Sequence, residues 1–129
     1  MDRWTPVDYP HDPRWTTTNL RFDDAPNDVA AAFFAGAEPV LPSWADPETT
    51  KPWFAVDNRN AIARDVDGPS TVIGRITLIP AMLEGIDYGR GRYKREVGVY
   101  LEGDGTLSVE AARALAAKLN ELADLVEAG

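Results

Sequence analysis

The sequence predicts an α+β domain: a small, mainly antiparallel sheet packed against a C-terminal amphipathic helix, with a short helix in the N-terminal half. Three observations carry this. Residues 96–102 alternate, with Val97, Val99 and Leu101 on one side and Glu96, Gly98, Tyr100 and Glu102 on the other, as a half-buried strand does. A Gly103-Asp104-Gly105 turn follows. Beyond it Ala112, Leu115, Ala116, Leu119, Leu122, Ala123 and Val126 recur at three- and four-residue spacing, opposite Arg113, Asn120, Glu121, Asp124 and Glu127. That spacing is helical, and a one-faced strand next to a one-faced helix buries both faces when the helix lies on the sheet.

The remaining elements follow in chain order. Residues 1–19 carry Pro6, Pro10 and Pro13 together with Trp4, Tyr9 and Trp15. Proline fixes φ and removes donors, so this arm is expected to be extended. Its rings either pack on the domain or form a partner-binding surface, since large aromatics favour buried contacts. Residues 27–36 read as a short helix, with Asn27 as N-cap, Asp28 at the positive end, Gly36 as the stop, and Val29, Ala32 and Phe33 on one face. Four prolines in 38–52 exclude regular structure and make it a connector, with Trp44 as its anchor or as part of a partner surface.

Residues 53–66 suggest a hairpin about Asp57-Asn58-Arg59-Asn60, and 70–79 a central strand, apolar on both faces and ended by Pro80. Residues 81–95 are expected as a glycine-bearing loop or strand extension. Ser108 caps the final helix, which runs to about Ala128, with Glu110 in its first turn.

With 129 residues and 44% hydrophobic content, one domain with one core is expected, residues 53–129 being its main α+β unit. There is no apolar run of membrane-spanning length, and no basic start followed by an apolar stretch, so neither a membrane segment nor a secretory signal is expected. Cysteine is absent, which excludes disulfides, thiolate nucleophiles and Cys-based zinc sites and fits a cytoplasmic protein. The formal net charge is −8, and residues 1–69 hold 12 of the 21 acids. Such a field keeps the chain soluble and disfavours nucleic acid and anionic membrane as partners.

The chain offers few groups for chemistry. His11 is the one histidine and sits on the proline-rich arm, where it lacks the rigid support a catalytic imidazole needs. Asp65-Val66-Asp67-Gly68 shares part of a calcium-loop pattern, but the first and twelfth ligand positions would be Ala63 and Gly74, so the motif fails. The carboxylate pairs Asp23-Asp24, Asp65/Asp67 and Glu102/Asp104 could serve acid–base work or simply be solvated surface. Arg90, Arg92, Tyr93, Lys94 and Arg95 form the one basic cluster, a set able to grip phosphate and stack on a base if it shares one surface. No metal or cofactor is expected.

The tail Leu107-Ser108-Val109-Glu110-Ala111-Ala112-Arg113-Ala114-Leu115-Ala116-Ala117, with the strand before it, resembles the C-terminal end of small uncharacterised domains of actinobacteria and their phages. The likeness spans roughly residues 43–128. It implies the same strand–turn–helix layout and brings no agreed activity. Members with a Trp-Cys pair and nearby histidines suggest a metal site. Here the Cys position is Ala45 and no His follows, so no metal chemistry carries over. The expected function is a non-enzymatic protein-interaction module, plausibly a phage-encoded modulator of a host protein and capable of homodimerising. A small carboxylate enzyme and a nucleic-acid accessory protein are the alternatives.

Overall fold

A computed structural model describes residues 5–7, 25–56 and 60–129. The fold is α+β. Strands β1 (Thr5–Val7), β2 (Phe54–Ala55), β3 (Ala61–Asp67), β4 (Thr71–Ile73), β5 (Ile76–Asp87) and β6 (Arg92–Glu102) form one antiparallel sheet in the order β1-β6-β5-β3-β2, with β4 also pairing β5. Helix α1 spans Pro26–Phe34 and α2 spans Val109–Ala128.

The centre of the sheet is one long hairpin. β5 and β6 pair from Thr77↔Glu102 to Asp87↔Arg92, so residues 81–95 are strand apart from the turn at 88–91. The expected strand over 70–79 is instead broken. Gly74, at φ +62°, and Arg75 make a two-residue turn joining β4 to β5, and glycine adopts this conformation without strain. Pro80 lies inside β5 rather than ending it. On one flank of β5, β4 pairs residues 76–78 and β3 pairs residues 81–87. Pro80 falls in the gap between them, where its carbonyl accepts from Gly68 N at 2.8 Å. Its missing N–H points to the same side as that carbonyl, so no ladder bond is lost.

The remaining flank of β3 is finished by the connector. Beyond the two β2 residues, Lys51 N donates to Asp65 O and Asp46 N to Asp67 O. Asp46 Oδ1 accepts from Glu48 N, setting the local turn. Trp44 is 7% exposed and packs with Val66, Met82, Val97 and Val126, as the anchoring expectation has it.

Both helices lie on the same face of the sheet. α1 buries Val29, Ala30, Phe33 and Phe34 against Trp53, Ile62, Ile86 and Tyr93. Its caps differ from expectation: Ala25 is the N-cap and Pro26 opens the helix, while the Asn27 side chain accepts from Trp53 N at 3.1 Å. The left-handed residue that stops it is Ala35, just before Gly36. α2 is capped as expected, Ser108 Oγ accepting from Ala111 N at 3.0 Å. Its seam is rotated from the expected stripe. Ala112 and Ala116 are exposed, and the covered line runs through Ala111, Leu115, Lys118, Leu119, Leu122 and Val126. Among the described residues no helix is long and apolar enough to cross a membrane.

Candidate functional site

The pleat sorts the charges of the central strands onto two faces. On the helix-covered face, register places Arg64 opposite Glu84 and Glu84 opposite Arg95, a three-strand ladder between the α1 and α2 clusters. Glu84 is 1% exposed. Its Oε1 accepts from Arg64 Nε at 2.9 Å and Nη2 at 2.5 Å. Its Oε2 accepts from the Tyr93 hydroxyl and lies 3.9 Å from Arg95 Nε. Arg95 Nε donates to the Tyr93 oxygen at 2.6 Å, and its Nη2 to the Val40 carbonyl at 2.7 Å.

Two guanidinia face one carboxylate, so the second positive charge needs other neighbours. Arg64 stacks 4.8 Å from the Trp53 ring and Arg95 lies 5.7 Å from the Tyr93 ring, where ring quadrupoles favour a cation. Burial, then the Glu84 charge and its hydrogen bond, hold the Tyr93 hydroxyl far above the ordinary tyrosine value, against the opposing pull of Arg95. Tyr93 is therefore a fixed neutral donor, and both Glu84 oxygens are committed. A carboxylate holding three hydrogen bonds at 1% exposure is fitted to brace the fold rather than to take a substrate proton.

The opposite face carries a trough of about 910 Å³. Its floor is low because Ala61, Ala63 and Gly85 are small and Ala63 and Gly85 are register partners. Gly85 sits opposite Lys94, whose stem lies over it: a Cβ there would stand 3.2 Å from Lys94 Cε. Leu83 and Asn60 add to the lining, with Arg90, Arg92, Lys94 and the Asp87 carboxylate at one end. Among the described residues the side chains of Arg90 and Lys94 make long ion pairs, 3.7 Å each, to Asp87 and Glu96, and Arg90 N donates to Asp87 Oδ1 at 3.1 Å. Arg92, on the register partner of Asp87, makes no ion pair among the described residues.

This geometry divides the expected basic cluster. Arg90 lies in the turn, Arg92 and Lys94 face the trough, and Tyr93 and Arg95 are buried on the other side. The cluster is thus not a flexible segment with all its cations on one surface; alternation in β6 separates them. Sequence reasoning missed Glu84 and Arg64. The available signal was Glu84 as the lone charge within Ala81 to Ile86, and Arg64 on the same alternation as Ile62 and Val66.

Of the proposed partner-binding rings, Trp44 is in the core, while Trp4, Tyr9 and Trp15 lie outside the described residues, as do His11 and Asp23-Asp24. Asp65 and Asp67 project from β3 on the trough face, and Glu102 and Asp104 are exposed at the far end of the sheet. Among the described residues no three His, Cys, Asp or Glu side chains are grouped to hold a metal ion. Compared with protein-family models, curated proteins and solved structures, the chain finds no match in any of the three.

Proposed function

We propose that the chain is a non-enzymatic protein-interaction module. The observation that supports this best is the closed state of its buried ionisable cluster. Glu84, the acid that burial would most readily tune for catalysis, has both oxygens engaged by Arg64 and Tyr93. Enzymes leave such a group facing a cleft with a partner still to gain. The tail's resemblance to actinobacterial and actinophage domains makes a phage-encoded modulator of a host protein the finer form of the proposal, acting in the cytoplasm.

The test is to capture host proteins on the immobilised chain and reconstitute any complex from purified components. Saturable one-to-one binding that survives Glu84→Gln, in a variant verified as folded, supports an interaction module. A hydrolytic or transfer activity found by substrate profiling and abolished by Glu84→Gln in folded protein would instead establish the carboxylate-enzyme alternative.

A further inference from the structure

We infer that the trough on the face of the sheet opposite the two helices binds a small anionic amphiphile: a carboxylate or phosphate head held by Arg90, Arg92 and Lys94, with a short apolar body over Ala61, Ala63 and Leu83. The inference stands apart from the protein-interaction proposal and rests on the shape and charge of this face alone.

Shape comes first. Ligand sites are concave, mainly apolar and supplied with a few converging polar groups, commonly within 300–1,000 Å³. The trough, about 910 Å³, has an apolar floor and a polar end. Its concavity follows from sequence: the outward positions of β3 and β5 at this end are Ala61, Ala63, Gly85 and Asp87, three of them small, and the Lys94 stem leans across Gly85.

Charge then selects the ligand. In a chain of net charge −8, three cations and one carboxylate, Asp87, line one end of this face, so cations outnumber acids there. Arg92 is uncommitted among the described residues, and the contacts of Arg90 and Lys94 are long and exposed. Such pairs are weak and rearrange readily, so all three cations can turn to an anionic head. A guanidinium also offers the two-pronged geometry that carboxylates and phosphates accept.

The same face excludes a long polyanion. One register row beyond Ala63, Gly85 and Lys94 come Asp65, Leu83 and Glu96. Two carboxylates thus flank the trough where a nucleic-acid backbone would place its next phosphates, and no aromatic ring on that row offers a base a stacking surface. A single-headed ligand avoids both carboxylates and lays its apolar part over Leu83 between them.

Isothermal titration of the full chain, with octyl phosphate and octanoate below their micelle-forming concentrations, tests this. Octylammonium, inorganic phosphate and phosphatidylglycerol vesicles are the comparison arms. The expected result is saturable one-to-one binding of octyl phosphate, octanoate or both, at least tenfold tighter than octylammonium or inorganic phosphate; the better probe identifies the head. Arg92→Ala with Lys94→Ala should weaken binding at least tenfold, and Ala61→Phe should do so by filling the trough. Thermal melts verify the fold, and the two cation substitutions are at exposed positions, so they report even if Ala61→Phe does not fold. Binding of neither monomeric probe, binding to vesicles alone, equal binding of octylammonium, or binding unchanged by Arg92→Ala with Lys94→Ala would each overturn the inference. None of these outcomes bears on capture of a protein partner, which keeps the two proposals separable.

Discussion

Glu84 is held between two guanidinia and a phenol, so its replacement exposes what each neighbour needs. Glu84→Gln preserves shape but removes the counter-charge of Arg64 and Arg95. Leaving a buried charge uncompensated costs about 3–5 kcal/mol. Arg64 is 20% exposed and relieves part of its share through water, which places the expected loss near about 3 kcal/mol; urea denaturation measures it. Tyr93→Phe removes one donor to Glu84 and one acceptor from Arg95, an expected loss of about 1–3 kcal/mol. It also changes the response to alkali. The folded-state value of Tyr93 is raised above the ordinary 10.0, so the unfolded chain loses this proton first. Its stabilisation is complete below pH 10 and falls as pH rises above 10, towards the folded value. Stability curves from pH 8 to 11 should therefore descend more steeply for the native protein than for Tyr93→Phe; parallel curves would show that Tyr93 is not held neutral by the fold. Gly103 illustrates a different constraint. Its φ is +123°, and a Cβ would stand 2.1 Å from the Arg75 carbonyl oxygen. Gly103→Ala is expected to cost about 3 kcal/mol, read as a lowered denaturation midpoint.

At the scale of elements, α2 was legible in the sequence because its signals are local: a capping serine, a three–four apolar spacing and a preceding turn. The same locality blurred which side is covered. Ala112 and Ala111 are equally good helix residues, and only the approach of Gly74 and Leu107 to the first turn favours Ala111. The α2 substitutions should follow observed burial. Leu122→Asp, at a position 4% exposed, should cost about 3 kcal/mol or more by placing a charge in an apolar seam. Ala112→Asp and Glu121→Ala should stay within about 0.5 kcal/mol. Melting temperatures of the three variants check this, and a large effect of Ala112→Asp would return the seam to its expected position. The β4–β5 turn was not legible because Val72 to Ile79 is apolar on both faces. Such a run leaves Gly74-Arg75 as the only sign of a break, and proline at position 80 ordinarily signals a strand end. The Arg64–Glu84–Arg95 ladder was hidden for another reason. Its members are far apart in sequence, and only the register of three strands brings them into line.

For the whole molecule, the consequential feature is that three strands run through both hydrophobic clusters. β3 supplies Ile62 to the α1 cluster and Val66 to the α2 cluster; β5 supplies Ile86 and Met82; β6 supplies Tyr93 and Val97. The charge ladder crosses the same strands between the two. Neither cluster can come apart without stripping one side of strands that the other requires. One cooperative transition is therefore expected, despite a core divided by ionised groups. Phe33→Ala, in the α1 cluster, should lower stability by about 3–5 kcal/mol, and Val126→Ala, at the far end of α2, by about 2 kcal/mol. Each should shift the entire transition. Far-UV circular dichroism and tryptophan fluorescence should give coincident curves in both variants. The double variant should lose the sum of the two effects to within about 0.5 kcal/mol, because the two side chains share no contact. Hydrogen exchange should show the slowest amides in β5, bonded on both sides, with the short β2 exchanging through local opening. If Phe33→Ala instead splits the transition, or if Val126→Ala moves only the helical signal, the shared strands do not couple the two halves.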